Sequence, residues 1–101
     1  MQNTETTQSK VINWAKEKGL INQANITRQA LKLTEEVGEL ASAIIKDKRN
    51  EQIDAIGDIQ VVLIILCEQL NIDYNQALES AYNVIKNRQG KLVNGSFIKQ
   101  E

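Results

Sequence analysis

The sequence contains no histidine and no proline, has a single cysteine, and gives only 4% of its 101 positions to aromatic residues. Without histidine the chain lacks the commonest general base and the commonest metal ligand, and no Ser–His or His–Asp catalytic pair can be built. Without proline nothing breaks a helix from within, and scarce aromatics weigh against many short strands. Cys67 has no partner for an internal disulfide, so a reducing cytoplasm is the expected compartment. A formal net charge of −1 lacks the basic field that nucleic-acid binders use. The longest apolar run, "IQVVLIILC" from Ile59 to Cys67, is far short of a bilayer span, and the polar start "MQNTETTQSK" has no signal-peptide core. Neither nucleic acid nor membrane is expected as a partner.

What remains is one domain over residues 1–101, with 42% hydrophobic and 25% charged residues, organised as an all-α bundle of four helices. The first helix is expected over Glu5 to Lys18, with Val11, Ile12, Trp14 and Ala15 on its apolar side and Gly19 as a stop. The second runs from Thr27 to Lys48, capped by Asn25 or Thr27, and carries the stripe Ala30, Leu33, Val37, Leu40, Ile44 toward the bundle. The third follows Asn50, a natural N-cap, and reaches Leu70; from Ile59 to Leu66 it is apolar almost all round and must be covered on several sides. The fourth spans Tyr74 to Gln89 between an Asp73 cap and a Gly90 stop. The tail 91–101, with its Asn-Gly turn, is expected to be extended.

Against this pattern, "LKLTEEVGELASAII" crowds Glu35, Glu36 and Glu39 into five positions, and "DAIGD" places Asp54 and Asp58 just before the most apolar stretch. Side chains three or four apart share a helix face, so Glu36 pairs with Glu39, Glu35 with Glu39, and Asp54 with Asp58. Like charges at that spacing cost a few tenths of a kcal/mol on an exposed helix and more when half buried. A hard divalent cation, Mg²⁺ or Mn²⁺, would offset that repulsion with oxygen ligands alone. Two antiparallel helices joined by a short loop could face the acid pairs across one groove. Acids solvated near helix N-termini are the alternative. Spacing alone leaves both open, although Glu36, Glu39 and Asp58 lie well inside their helices.

The segment "EEVGE" followed by "IGD" resembles the MazG-like nucleotide pyrophosphohydrolases, whose pattern is EExxE, a spacer, then ExxD. Glu35, Glu36 and Glu39 match the first half, Asp58 matches the final aspartate, and "YNVIKNRQGKLVNGSFIK" is similar to the C-terminal segment of small phage-type members. The resemblance covers Trp14 to Lys99. One position departs: the second-motif glutamate falls on Ala55, and Asp54 is the neighbouring acid that could replace it. The resemblance implies a dimeric or tetrameric four-helix assembly that hydrolyses a nucleoside triphosphate to monophosphate and pyrophosphate. It implies Mg²⁺ (or Mn²⁺) held by Glu36, Glu39, Asp58 and Asp54, with Glu35 orienting or deprotonating the attacking water. Asn83 and Lys86 are then candidates for triphosphate contacts.

Basic residues gather at the C-terminal end, where Lys86, Arg88, Lys91 and Lys99 stand against Glu101 alone, a net +3. They could clamp phosphates or simply be solvated lysines at a helix end. Trp14 is read as a core residue or as a platform for a base, Cys67 as a small core residue, and Glu35 alternatively as a surface acid beside Lys32 or Arg28. The Nudix box is echoed by "EEVGE" but wants Arg-Glu upstream where this chain has Leu31-Lys32. A di-iron bundle would need histidines. The alternative of another class is a non-catalytic nucleotide-sensing or interaction module with a degenerate metal site, kept open by Ala55. Four short helices offer little cover for the third, so a homodimer at least is expected.

Overall fold

In the computed structural model, which describes residues 5–100, four helices follow the expected order: α1 (Thr7–Glu17), α2 (Ile26–Ile45), α3 (Arg49–Leu70) and α4 (Tyr74–Ile85). The first four residues of the polar start and Glu101 of the tail lie outside the described residues. One 3₁₀ turn (Gln23–Asn25) precedes α2, and the chain ends in two short strands, β1 (Gly90–Val93) and β2 (Ser96–Lys99). The fold is all-α with a small hairpin attached.

Local chemistry sets the helix ends. Thr6 caps α1, its hydroxyl accepting from the Ser9 N–H at 3.1 Å, and Asp73 caps α4 by accepting from the Gln76 N–H at 2.9 Å. Three helices then stop in one way. After α1 the Leu20 N–H reaches back to the Ala15 carbonyl at 2.9 Å and the Gly19 N–H to Lys16 at 3.1 Å, with Gly19 at φ +71°. After α2 the bonds run from Lys48 to Ala43 and from Asp47 to Ile44; after α3 they run from Ile72 to Cys67 and from Asn71 to Glu68. Asp47 and Asn71 take the left-handed position at φ +56° and +57° that Gly19 takes first. The third helix starts two residues earlier than expected, with Lys48 rather than Asn50 at the cap position. The fourth stops at Ile85 rather than Gln89.

The α2–α3 hairpin is the most extensively packed part of the chain. Its α3 side contributes buried Ala55, Val62, Ile64 and Ile65, with Val61, Leu63 and Leu66 half-buried, as the apolar run required. Its α2 side is different from the expected stripe. The positions turned inward are Gln29, Glu36 and Ala43, spaced by seven, with Leu33 and Leu40 half-buried beside them. Val37 and Ile44, expected to face the bundle, are exposed. The apolar arc of α2 is rotated from its packed face, and the packed face holds a carboxylate.

The α1 helix is tied to the far end of α3 by amides rather than by apolar bulk. The buried Gln69 side chain donates from Nε2 to the Leu20 carbonyl at 3.1 Å and the Asn22 carbonyl at 3.2 Å, while Gln23 Nε2 donates to the Gln69 carbonyl at 2.8 Å. Asn25, at the start of α2, donates its side-chain N–H to Leu20 instead of capping the helix. These bonds add partners to the Leu20 and Asn22 carbonyls, which also accept from the Asn25 side chain and backbone N–H.

The tail is a hairpin instead of a plain extended segment. Asn94 and Gly95 both have positive φ, +49° and +81°, and lie between the paired residues Val93 and Ser96. An Asn-Gly pair in this conformation makes the two-residue turn whose twist matches antiparallel strands. Gly90 is not a helix stop. It lies in β1 opposite Lys99, where an added Cβ would strike the Phe97 ring and the Ile98 carbonyl oxygen.

Replacing Gln69 by Ala removes both donors to the linker and is expected to destabilise the chain by about 2 kcal/mol. Urea unfolding followed by circular dichroism measures this; a midpoint unchanged from wild type would show that the amide clasp contributes nothing.

Candidate active site

One carboxylate lies between the packed helices. Glu36 is 7% exposed, and its Oε2 has no hydrogen-bond partner. Its Oε1 meets Lys32 Nζ at 3.9 Å, one turn earlier on α2, but the lysine side chain is more than half exposed and the pairing is weak. Lys32 thus approaches Glu36, not the Glu35 beside which the sequence reading placed it. Burial lifts the Glu36 carboxyl above its ordinary value near 4.5; the like charges of Glu39 and Asp58 raise it further, against a smaller pull from Lys32. Glu39 on the same helix and Asp58 on α3 thus both act on the Glu36 carboxyl.

Beside this acid runs a groove of about 390 Å³ between the end of α2 and the start of α3. Glu39, Glu51, Asp54 and Asp58 line it, together with Lys46, Lys48, Ser42, Ala43 and Ala55. Glu39, Asp54 and Asp58 are exposed, so all three carboxylates can be reached from solvent. Ala55 is buried in the groove wall. A second groove of about 660 Å³ opens on the other side of α3, where Asp54 and Asp58 meet Val11, Ile53, Ile64 and Tyr74. A third, of about 410 Å³, is bounded by Thr7, Lys10, Val11, Trp14, Asp58 and Val61. Asp58 thus borders a charged groove on one side and two largely apolar ones on the other.

The expected residues divide into two groups. Glu39, Asp54 and Asp58 line the groove at the α2–α3 hairpin, and Glu36 interacts with Glu39 and Asp58 without lining it. Trp14, expected first as a core residue, is 47% exposed and lies on the rim of the groove that reaches Asp58. Glu35 is exposed on α2 and is not among the groove's lining residues. Asn83 is exposed on α4 and Lys86 follows its last turn. Arg88 and Lys99 border a separate surface depression, and Lys91 and Lys99 another, neither sharing a lining residue with the acidic groove. Cys67 is half-buried, its thiol pushed up by burial and by Glu68 and Asp73, which suits a packing role.

Three groove residues escaped the sequence reading. Lys46 and Lys48 supply its cations from the α2–α3 turn, a segment that carries no motif. Glu51 did have a signal: Glu51-x-x-Asp54 satisfies the Glu-x-x-Asp spacing one turn before the place where Ala55 breaks it.

These acids suit a divalent cation in one respect. The unpartnered Oε2 of Glu36, set among like charges, is the kind of buried acceptor that a hard ion relieves. Among the described residues no three Asp, Glu or Cys side chains already form a closed ligand set, so the carboxylates would have to turn inward to complete one.

The α2–α3 hairpin thus carries a groove lined by acids from both helices beside a largely apolar cleft. Residues 3–83 match the phosphoribosyl-ATP pyrophosphohydrolase family, and the chain belongs to that family, which is related to the MazG-like all-α pyrophosphohydrolases. An uncharacterized 18.2 kDa protein from the rep–hol intergenic region of Haemophilus phage HP1 (strain HP1c1) is 42% identical over 60 residues. That match covers 59% of this chain and 37% of the phage protein, so the chain spans little more than a third of that relative. No solved structure matches the chain. Among the described residues no helix is long and apolar enough to cross a membrane.

The raised Glu36 acidity has a sign. Its protonated form is favoured by the fold, so the stability it contributes is full below its unfolded value near 4.5 and is lost as pH rises through the elevated folded value. In chelator, Glu36→Gln is expected to melt higher than wild type at pH 7, with the difference shrinking toward pH 4. Equal melting temperatures at both pH values would contradict a strained carboxylate.

Proposed function

We propose that the chain is a metal-dependent nucleotide pyrophosphohydrolase that cleaves a nucleoside triphosphate between its α and β phosphates. The products are a nucleoside monophosphate and pyrophosphate. The single observation that carries this reading is the position of Asp58, which borders the acidic groove on one face and the apolar grooves of Trp14 and Tyr74 on the other. A nucleotide has that same division, with a polyanionic chain at one end and a flat ring at the other. Family membership supports the reaction type.

Glu36, Glu39, Asp54 and Asp58 would hold Mg²⁺ or Mn²⁺, with Glu51 as a further oxygen donor within the groove. The ion when bound neutralises phosphate charge and lowers the pKa of coordinated water. The chain's own residues do the rest. Lys46 and Lys48 offer donors to phosphate oxygens that the acids would repel. Trp14 and Tyr74 give the base an aromatic surface and keep water from one side of the anhydride. Glu35 takes the proton of the attacking water as its oxygen adds to the α phosphorus, and the bond to the bridging oxygen of pyrophosphate breaks. The reaction belongs to nucleotide-pool control in a reducing cytoplasm.

Pyrophosphate release from a panel of ribo- and deoxyribonucleoside triphosphates and phosphoribosyl-ATP, with Mg²⁺ or Mn²⁺ and with chelator, tests the reading. Asp58→Asn and Glu39→Ala are expected to lose at least roughly a hundredfold in kcat/KM while keeping helicity and melting behaviour, because both side chains are exposed. Absence of turnover for every substrate at micromolar enzyme would favour the non-catalytic sensing module. Trp14→Ala is expected to raise KM roughly three- to tenfold with kcat nearly unchanged, the worth of one aromatic contact. A change confined to kcat would remove Trp14 from base binding.

A further inference from the structure

The groove of about 660 Å³ on the apolar side of Asp58 is largely hydrophobic, and away from Asp54 and Asp58 its polar side chains are Thr7, Gln8 and Gln60, with the Tyr74 phenol. Most of these leave the polarity of a ligand open. Hydroxyls both donate and accept, and the exposed Gln60 amide can turn either end inward. Gln8 is different. It is half-buried, and its Oε1 accepts from Asn75 Nδ2 at 2.9 Å, a bond that joins α1 to the first turn of α4 between residues 67 apart in sequence. With the oxygen held in this way, the Nε2 end is the one left for the groove, and it can only donate. Asn75 does not line the groove; it acts there through Gln8.

The floor of the same groove is also unusual. Gly57 lines it from within α3, and a Cβ added there would meet no atom within 4 Å. Glycine inside a helix is destabilising relative to alanine, and no contact within the chain requires it at this position. What it supplies is room, a bare strip of backbone against which a flat ring can lie.

We infer that Gln8, locked by Asn75, sets the base preference of this groove and selects nucleotides of the oxo bases (uracil, thymine, hypoxanthine, guanine) over those of the amino bases (adenine, cytosine). This rests on the nucleotide reading of the groove and names the substrate class within it. A base whose phosphates lie toward the acids offers the protein the edge away from its sugar. On that edge the exocyclic group is either an oxygen or an amino group. An oxygen accepts from Gln8 Nε2, whereas an amino group sets donor against donor and leaves both without a partner. One neutral hydrogen bond in a half-open groove is worth roughly a three- to tenfold preference.

Because the polarity of Gln8 is imposed from outside the groove, it can be reversed from outside. Asn75→Asp places an acceptor opposite Gln8. The Gln8 amide then turns to donate to the new carboxylate and presents Oε1 to the base. The exchange adds no bulk, lies on an exposed residue, and puts an acid in the first turn of α4, where the helix N-terminus favours one. A merely structural role for Asn75 would change stability and leave the ranking of bases alone.

Calorimetric titration with the α,β-methylene triphosphates of inosine, adenosine, uridine and cytidine, in Mg²⁺, measures the preference without turnover. Wild type is expected to bind the inosine analogue over the adenosine one, and the uridine over the cytidine one, by roughly three- to tenfold. Asn75→Asp should invert both ratios with helicity and melting temperature kept, and Gln8→Ala should bring both close to one. Flat ratios in wild type, or ratios that Asn75→Asp leaves unchanged while the analogues still bind, overturn the inference and leave the nucleotide reading standing. Failure of all four analogues to bind at millimolar concentration overturns both. Inverted ratios in a chain that releases no pyrophosphate keep the base reader and remove the catalytic reading.

Discussion

The burial of the Glu36 carboxylate between α2 and α3 is the constraint around which the rest of the molecule is arranged. A buried, charged acid with an orphaned oxygen is unfavourable in any fold, and here two further acids lie close enough to raise its proton affinity. Packing cannot relieve this, because the same interface needs the small residues Ala43 and Ala55 to bring the helices close. Relief must come from a proton or from something cationic that enters the groove. A site in this state is poised: it is less stable than an apolar seam would be, and it is able to bind.

The geometry also explains why the apolar stripe and the packed face of α2 disagree. If Val37 and Ile44 faced α3, Glu36 and Glu39 would point to solvent and no acid pair could form across the hairpin. Rotation of the helix brings the Glu36 carboxylate in and leaves an apolar arc outside. One choice therefore creates the candidate site and an unpartnered surface together, and the segment beyond Tyr74 is exposed in the same way. In this chain the chemistry of the groove and the need for a covering surface have a common origin.

Much of this was legible in the sequence. The helix count, the Asp73 cap and the Gly19 stop follow from spacing and composition, because each is a local property; the same spacing marks Glu36, Glu39, Asp54 and Asp58 as candidates. What was not legible depends on packing. Periodicity marks an apolar arc but cannot say which edge of it meets a neighbour, so Val37 and Ile44 were assigned inward. The turn residues Lys46 and Lys48 carry no motif and become groove residues only because the hairpin folds back. The strands were missed because β1 and β2 are four residues each and pair with nothing else. Glu51 carries a readable signal, the Glu51-x-x-Asp54 spacing one turn before Ala55.

The three matching turns after α1, α2 and α3 fix the lengths of their connections through paired backbone hydrogen bonds, and leave no slack between the helices. The link between α4 and β1 has no such pair: residues 86–89 are exposed and lie past the family-matched region. Variation is therefore cheap at one place and costly at the other three. Over evolutionary time the four-helix part should change by substitution, whereas the end of the chain can be lengthened, shortened or exchanged as a cassette without disturbing the groove acids.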